Sequence, residues 1–424
     1  MSIPLRFGLF TTFYPPYHFG GDAVDVERFA RALAARGHHV TVVHEVDGYR
    51  WLAGDTVRPA EGGDEAVEVV RLRSRAGVLS TILTHQLGRP VLHRAALARL
   101  CRERRFDVIV FNNVSLIGGP GLFSFGGDAL RVYLAHEHWL VCPTHVLWRH
   151  DREPCTGRQC LRCLVHYRRP PQLWRYTGYL RRQMRHVDVF LARSEFSRDK
   201  HREFGFPRPM DVLPNFLPAP PKIQDAPDGP SPHPRPYFLF AGRLERIKGL
   251  DTILPAMARY PDADLLVAGD GGQLPALRAL AAGNPRVTFL GWVPGAELAR
   301  YYRHAVALIV PSVGFETFGL VLVEAFQYGT PVIARRIGPF PGIIERSGAG
   351  ELFSTTDELV DAMRRLQHDP RRRDDLGRRG RLAWREAWSE DAIIGRFFEI
   401  LARAGRARAA ARGLPPPAWL PEAT

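Results

Sequence analysis

Short apolar runs alternate with amphipathic stretches along this chain; the alternation stops once, at a proline-rich segment, and then restarts. Parallel strands need a long crossover, usually a helix. The rhythm therefore dictates parallel sheets with helices packed on both faces. Phe7–Phe10 reads as a strand, and Thr11 to Pro16 as an irregular loop. Gly20-Gly21 opens a helical stretch over 24–36, with apolar residues at Val24, Val26, Phe29, Ala30, Leu33 and Ala34. Gly37 ends it, and strand 39–43 follows. Strands are then expected at 67–72, 106–111 and 130–135, with a helix near 92–102. The segment Pro214–Pro236 reads as an extended linker. Beyond it come strands 237–241, 264–268, 287–290 and 307–310, and helices 250–259, 274–282, 296–304 and 319–328.

These observations predict two doubly wound α/β domains facing a cleft, with the ligand at the carboxyl ends of the strands. The first spans 1–215 and the second 216–389. A chain of 424 residues is long enough for two or three such units. With 45% hydrophobic and 24% charged residues, general disorder is excluded. No apolar run approaches the ~20 residues that span a bilayer. Residues 1–6 run directly into the first strand without the pattern of a signal peptide, so a cytoplasmic address is expected. The net charge of +14 points to an anionic partner: a nucleotide, a nucleic acid or a membrane face. Arginine supplies nearly all of it, since lysine occurs only at 200, 222 and 248. No nucleic-acid-binding motif accompanies the charge, which sets that partner aside.

Two loops of the second half carry chemistry. In the first, Gly242 follows a strand and puts Arg243 and Lys248 on one short loop that ends at Gly249. A guanidinium grips phosphate oxygens bidentately and an ammonium adds a point charge. In the second, Glu316 precedes a helix near Phe318-Gly319 and Glu324 lies two turns into it. Free amides at a helix start hold anions or polar groups. Taken alone, the basic loop could be plain surface and the two glutamates an ordinary solvated helix.

Together these residues resemble the family 4 glycosyltransferases of GT-B fold. Glu316 and Glu324 match that family's E-x7-E motif, and the Gly242-Arg243…Lys248-Gly249 loop its donor-phosphate motif. Pro214-Asn215 is similar to the hinge before the second domain, although Phe216 replaces the usual glycine. Gly20-Gly21 resembles the glycine loop beside the diphosphate. The resemblance implies a retaining enzyme without a protein nucleophile, using a nucleotide sugar as donor and needing no cofactor for catalysis. Arg243 and Lys248 would neutralise the leaving diphosphate. Glu316 would bind donor-sugar hydroxyls, helped by the amides of Thr317, Phe318 and Gly319. Glu324 would accept from the ribose hydroxyls, and Val293 would lie in the loop by the base. His136, at a strand end, would face the donor sugar. The last helix, with apolar residues at Trp388, Ile393, Ile394, Phe397, Phe398, Ile400 and Leu401, would return to the N-terminal domain.

Other features have competing readings. Asp262 and Asp264 precede a strand, at the wrong end of the sheet for a metal site, and read as a turn. Gly269-Asp270-Gly271-Gly272 reads as a strand-to-helix turn. Cys142, Cys155, Cys160 and Cys163 have the donor number for a structural zinc, with an iron–sulfur cluster, free thiols or disulfides as the alternatives. Their basic insertion, 142–168, lacks helical periodicity. From Tyr167 to Arg185, arginines mix with Trp174, Tyr176 and Tyr179, which suits an anionic membrane surface or, equally, a solvated face with its aromatics packed inward. The expected function is a glycosyltransferase acting on a glycan, lipid-linked glycan or small acceptor in glycoconjugate synthesis. It would be cytoplasmic and peripheral to the membrane. A non-catalytic binding protein of the same fold, or a nucleotide-sugar epimerase, is the alternative.

Overall fold

The computed structural model describes residues 3–53, 66–220 and 229–420. In the N-terminal half these form β1 (Arg6–Thr11), β2 (His39–Glu45), β3 (Glu68–Leu72), β4 (Val108–Phe111) and β5 (Leu130–Ala135). A two-stranded antiparallel ribbon follows, β6 (Trp148–Arg149) with β7 (Glu153–Pro154), then β8 (Val189–Ala192) and β9 (Asp211–Val212). Seven of them build one parallel sheet in the order β3-β2-β1-β4-β5-β8-β9. The C-terminal half contributes β10 (Tyr237–Ala241), β11 (Asp264–Ala268), β12 (Val287–Gly291), β13 (Leu308–Val310), β14 (Val332–Arg335) and β15 (Gly350–Phe353). Their order is β12-β11-β10-β13-β14-β15, again all parallel. This is the GT-B arrangement. Strand order reverses beside β1 in one sheet and beside β10 in the other, where a crevice opens at the carboxyl ends.

The central strands of both sheets, such as Val108–Phe111 and Tyr237–Ala241, are buried on both faces and are continuous apolar runs. In the N-terminal core Phe7, Leu9, Val42, Val110, Val132 and Leu191 meet Val26, Phe29, Ala30 and Leu33 of the helix Gly21–Ala34. Ile393, Ile394, Phe397, Ile400 and Leu401, from the helix Glu390–Arg412, belong to that same core. Arg36 pairs with Glu390 at 2.6 Å and also with Asp391, which pins the start of this helix to the N-terminal domain.

The chain thus passes twice between the halves, and the two passages touch. Phe216 lies in the N-terminal core and Leu217 in the C-terminal one. The Leu217 amide donates to the Trp388 carbonyl at 3.1 Å, while Trp388 stacks on Phe326. The middle of the proline-rich linker, 221–228, lies outside the described residues.

Two expectations change. The helix expected over 250–259 is interrupted: Leu250–Thr252 is a 3-10 turn, and a short helix restarts at Leu254 with Pro255 in its first turn. Proline lacks the amide that would continue the helix through this point. The final helix begins at Glu390, as expected for a C-terminal helix over about 390–424; Ser389 before it is extended and its hydroxyl caps the Ala392 amide. The cysteine insertion, expected without helix, contains one over Cys160–His166.

Candidate active site

The carboxyl ends of β10 and β13 position the donor-side groups. Glu316 Oε1 accepts from Lys248 Nζ at 2.8 Å and from the Ser312 hydroxyl at 2.7 Å. Burial alone pushes the Glu316 carboxyl up; the Lys248 charge and hydrogen bond, Ser312 and Arg243 more than offset it and hold it below its ordinary value. Arg243 pairs with Glu245 at 2.9 Å, yet its side chain is 60% exposed and such a pair is weak, so the guanidinium is free to re-aim. Gly319 precedes the helix Leu320–Tyr328 at φ 104°, and a Cβ there would stand 2.7 Å from the Phe340 ring. Only glycine fits. The first amides of that helix receive no side-chain cap. Phe318 is buried beneath them. Glu324 accepts from the Tyr302 hydroxyl at 3.0 Å. Burial raises its carboxyl above the ordinary value, opposed by that bond and by Arg28 of the N-terminal half.

The turn Gly269–Gly272 packs on the basic loop: Gly242 N donates to Ala268 O and Leu244 N to Asp270 O. A Cβ at Gly269 would lie 1.9 Å from the Gly242 carbonyl. Val293 is half-buried against the donor core, and Trp292 beside it is exposed. Asp264 sits at the opposite end of its strand and is held by His233 at 2.7 Å, Arg235 at 3.1 Å and Arg286 at 3.4 Å. That is a structural ion cluster.

Across the crevice, His136 follows β5. Its Nε2 meets Asn112 Oδ1 at 2.9 Å, and Arg193 lies within 3.3 Å of both ring nitrogens. Burial, then the Arg193 charge, drives the imidazole well below its usual pKa, which keeps it neutral. Arg193 in turn pairs with Asp25 of the helix that Gly20 and Gly21 open. A cleft of about 520 Å³ is lined by Gly20, Gly21, Asp22, Asn113, His136, Glu137 and, from the other half, Arg243. The halves touch directly beside it. Thr317 Oγ1 donates to the His136 carbonyl at 2.9 Å, and the Ser194 hydroxyl donates to the Thr317 carbonyl at 2.6 Å.

The structure therefore gathers Arg243, Lys248, Glu316, Thr317, His136 and the Gly20-Gly21 turn around one crevice. Sequence reading missed Asp25, Arg193 and Asn112, which orient His136, and Asp22, whose carboxyl is raised by burial and by Glu137. Arg193 follows β8 as His136 follows β5, and this shared place just past a strand's carboxyl end was the available signal for Arg193.

The cysteine insertion abuts this loop. Cys142 and Leu147 form a small core with Phe204, against which Phe315 packs. The Phe315 ring also meets Phe196 at 5.1 Å and the Lys200 ammonium at 4.7 Å. Burial raises the Cys155 and Cys160 thiols, and each is raised further by Cys142. The four cysteines are free, and among the described residues their sulfurs do not close into a cluster drawn within 4.8 Å. Of the basic-aromatic stretch, Trp174 is buried and donates to the His85 carbonyl at 3.0 Å. Arg175 lies between the rings of Trp174 and Trp139. These two pack inward and are not a membrane anchor; Leu173 and Tyr176 remain exposed. Among the described residues no helix is long and apolar enough to cross a membrane.

Two family descriptions match nearly end to end: "Glycosyltransferase Family 4" over residues 19–219 and "Glycosyl transferases group 1" over residues 222–383. The chain belongs to glycosyltransferase family 4. Its similarity to the sulfoquinovosyl transferase of Arabidopsis thaliana is 34% identity over 152 residues, 35% of this chain and 29% of that protein. To the D-inositol 3-phosphate glycosyltransferase of Pseudarthrobacter chlorophenolicus it is 37% over 172 residues, 37% of this chain and 41% of that one. The chain thus matches less than half the length of these curated relatives. Among solved structures, sucrose-phosphate synthase of Thermosynechococcus elongatus superposes with a TM-score of 0.69 at 20% identity, covering 94% of this chain and all of that one. Anabaena HepE in complex with UDP gives 0.62 at 17%, with 94% and 100% covered. These likenesses establish the GT-B fold of this family member.

Proposed function

We propose that the chain is a retaining glycosyltransferase that moves a sugar from a nucleotide-sugar donor to a glycan or lipid-linked acceptor. The observation that carries this reading is Glu316. It is a carboxylate held ionised by Lys248 and Ser312, at the uncapped start of the helix Leu320–Tyr328 and next to the Thr317–His136 hydrogen bond that crosses the cleft. An ionised carboxylate accepts hydroxyl hydrogen bonds, so it suits a sugar. The diphosphate would lie between Arg243, Lys248 and the Gly20-Gly21 turn, where charge developing on the leaving oxygen is stabilised electrostatically. Glu324 would hold the ribose, the Val293 loop the base, and the amides of Thr317, Phe318 and Gly319 the sugar with Glu316. His136, kept neutral, would face the sugar, and Asp22 and Asn113 stand on the acceptor side. The leaving phosphate would take the acceptor proton.

A lipid-linked acceptor is favoured by the rim of the cleft. Trp51, Leu52 and Ile82 line it and are exposed, as are Leu79 and Leu87, and Arg50, Arg75 and Arg89 stand exposed among them. Such a mixture suits peripheral contact with an anionic membrane. A structural zinc on Cys142, Cys155, Cys160 and Cys163 fits the donor chemistry, because thiols raised by one another are relieved by a cation. It would order the insertion that supports Phe315 and take no part in bond breaking.

The test is a screen of nucleotide sugars for thermal stabilisation, beginning with UDP and UDP-glucose because HepE was solved with them, followed by donor hydrolysis. A stabilising donor that is hydrolysed by the wild type and not by Glu316→Gln supports the reading. A protein that no nucleotide sugar stabilises would sink it.

A further inference from the structure

At the carboxyl end of β2, beside the cleft wall, the sequence delivers two carboxylates and an imidazole to one buried point. Glu45 is the last residue of β2, and Asp47 opens the short helix Asp47–Ala53. His93 stands just before the helix Arg94–Arg104. Glu45 is 1% exposed, Asp47 6% and His93 4%, and one ligand atom from each lies within 4.8 Å of the others. The carboxylates are oriented from behind. Glu45 accepts from the Gly48 amide at 2.7 Å and the Thr81 hydroxyl at 3.1 Å, and Asp47 Oδ2 accepts from the Ser74 amide at 2.7 Å. Each still has lone pairs free. His93 Nε2 is buried without a hydrogen-bond partner among the described residues, 4.0 Å from Asp47 Oδ2. That separation is too long for a hydrogen bond.

An orphaned buried nitrogen is costly. So are two carboxylates sharing a buried site. A single cation answers both demands. We propose that Glu45, Asp47 and His93 hold a divalent first-row metal ion of the zinc or manganese class. Two carboxylate oxygens and one imidazole nitrogen are a common donor set for these ions, whereas magnesium and calcium prefer oxygen alone. Carboxylate ligands hydrogen-bonded from behind by Gly48, Thr81 and Ser74 have the outer shell that such sites use. The ion would tie the end of β2 to the helix Asp47–Ala53, to the loop before Arg94 and, through Thr81, to the helix Val78–Leu87. Trp51, Leu52 and Ile82, on the cleft wall, ride on those elements. The site is structural, contains no sulfur and is separate from the cysteines.

Cobalt separates the two. Metal-free full-length protein is titrated with cobalt chloride and followed by absorbance, with zinc chloride and manganese chloride run separately by calorimetry. A thiolate site announces itself by sulfur-to-metal charge transfer; an oxygen–nitrogen site shows weak d–d bands alone. The expected result is one equivalent of cobalt bound without thiolate charge transfer, beyond whatever the cysteines take. His93→Gln and, independently, Asp47→Asn should weaken this equivalent by roughly tenfold or more, since even outer-shell partners are worth ~10–100-fold. Circular dichroism checks that each variant remains folded. The proposal fails if all bound cobalt is accounted for by thiolate bands, if none binds, or if folded His93→Gln binds as the wild type does.

Discussion

The two halves share a topology and differ in what they bury. Among the described residues every buried histidine lies in the N-terminal half: His38, His44, His93, His138 and His201. The C-terminal half has an interior almost wholly apolar, and its charged groups meet at the strand ends as satisfied pairs such as Lys248 with Glu316. One sheet thus keeps its ionisable chemistry at its two ends, with Lys248 and Glu316 at the crevice and the Asp264 cluster opposite. The other also carries it into the core. A donor site that serves one diphosphate can be built from loops alone, whereas the acceptor side has been given polar interior groups whose protonation is linked to folding.

The largest consequence is a response to acid confined to one half. Burial lowers His44 and His201 to about 4 from an ordinary 6.5. Above pH 6.5 neither the folded nor the unfolded chain protonates them, and there is no penalty. As pH falls from 6.5 toward 4 the unfolded chain takes up protons that the folded one refuses, so stability is lost through that window. Every tenfold drop in a group's proton affinity corresponds to ~1.4 kcal/mol, so the two histidines together amount to several. Denaturant unfolding followed against pH should show the loss, and the double variant His44→Gln/His201→Gln should flatten it. An unchanged slope would break the comparison.

Next in size is the core that the final helix completes. Phe397→Ala should cost ~3–5 kcal/mol as a buried aromatic truncation, read from the denaturant midpoint. Glu316→Gln should follow, lowering turnover ~10²–10³-fold as for loss of one preorganised electrostatic contact, with nucleotide affinity little changed. Lys248→Ala should weaken nucleotide diphosphate binding by ~1.5–3 kcal/mol, measured by calorimetry. Wild-type affinity in that variant would remove its phosphate role. Smallest is Thr317→Val, which deletes the hydrogen bond to the His136 carbonyl. A loss of ~1 kcal/mol in donor affinity would mark this contact as part of the closed, donor-binding form.

Much of the donor side was legible because its chemistry is local. Arg243 and Lys248 share a loop five residues apart, and Glu316 and Glu324 flank a helix start, so each pair could be matched whole to a family motif, although spacing alone left both as plain surface. The strands were legible because sheets buried on both faces demand unbroken apolar runs, as at Val108–Phe111 and Tyr237–Ala241. The support of His136 was not. Asp25 and Arg193 stand 168 positions apart, and nothing in either neighbourhood announces the other. Nor was the direction of Trp174 readable, since an arginine-rich aromatic stretch has the same composition whether its rings face lipid or the His85 carbonyl. The two-residue strand Asp211–Val212 is too short to leave a pattern.

The double passage at Leu217 and Trp388 has a consequence for synthesis. A ribosome delivers the N-terminal sheet first, yet five apolar side chains of its core, Ile393 to Leu401, are translated after the whole C-terminal sheet. Until they emerge, Phe7 and Phe29 lack their Phe397 neighbour. The C-terminal half, which needs nothing after Trp388, can be complete while the earlier-made half still waits. A chain stalled or cut after Trp388 would carry a finished donor domain beside an open hydrophobic face, the kind of surface that chaperones and proteases recognise.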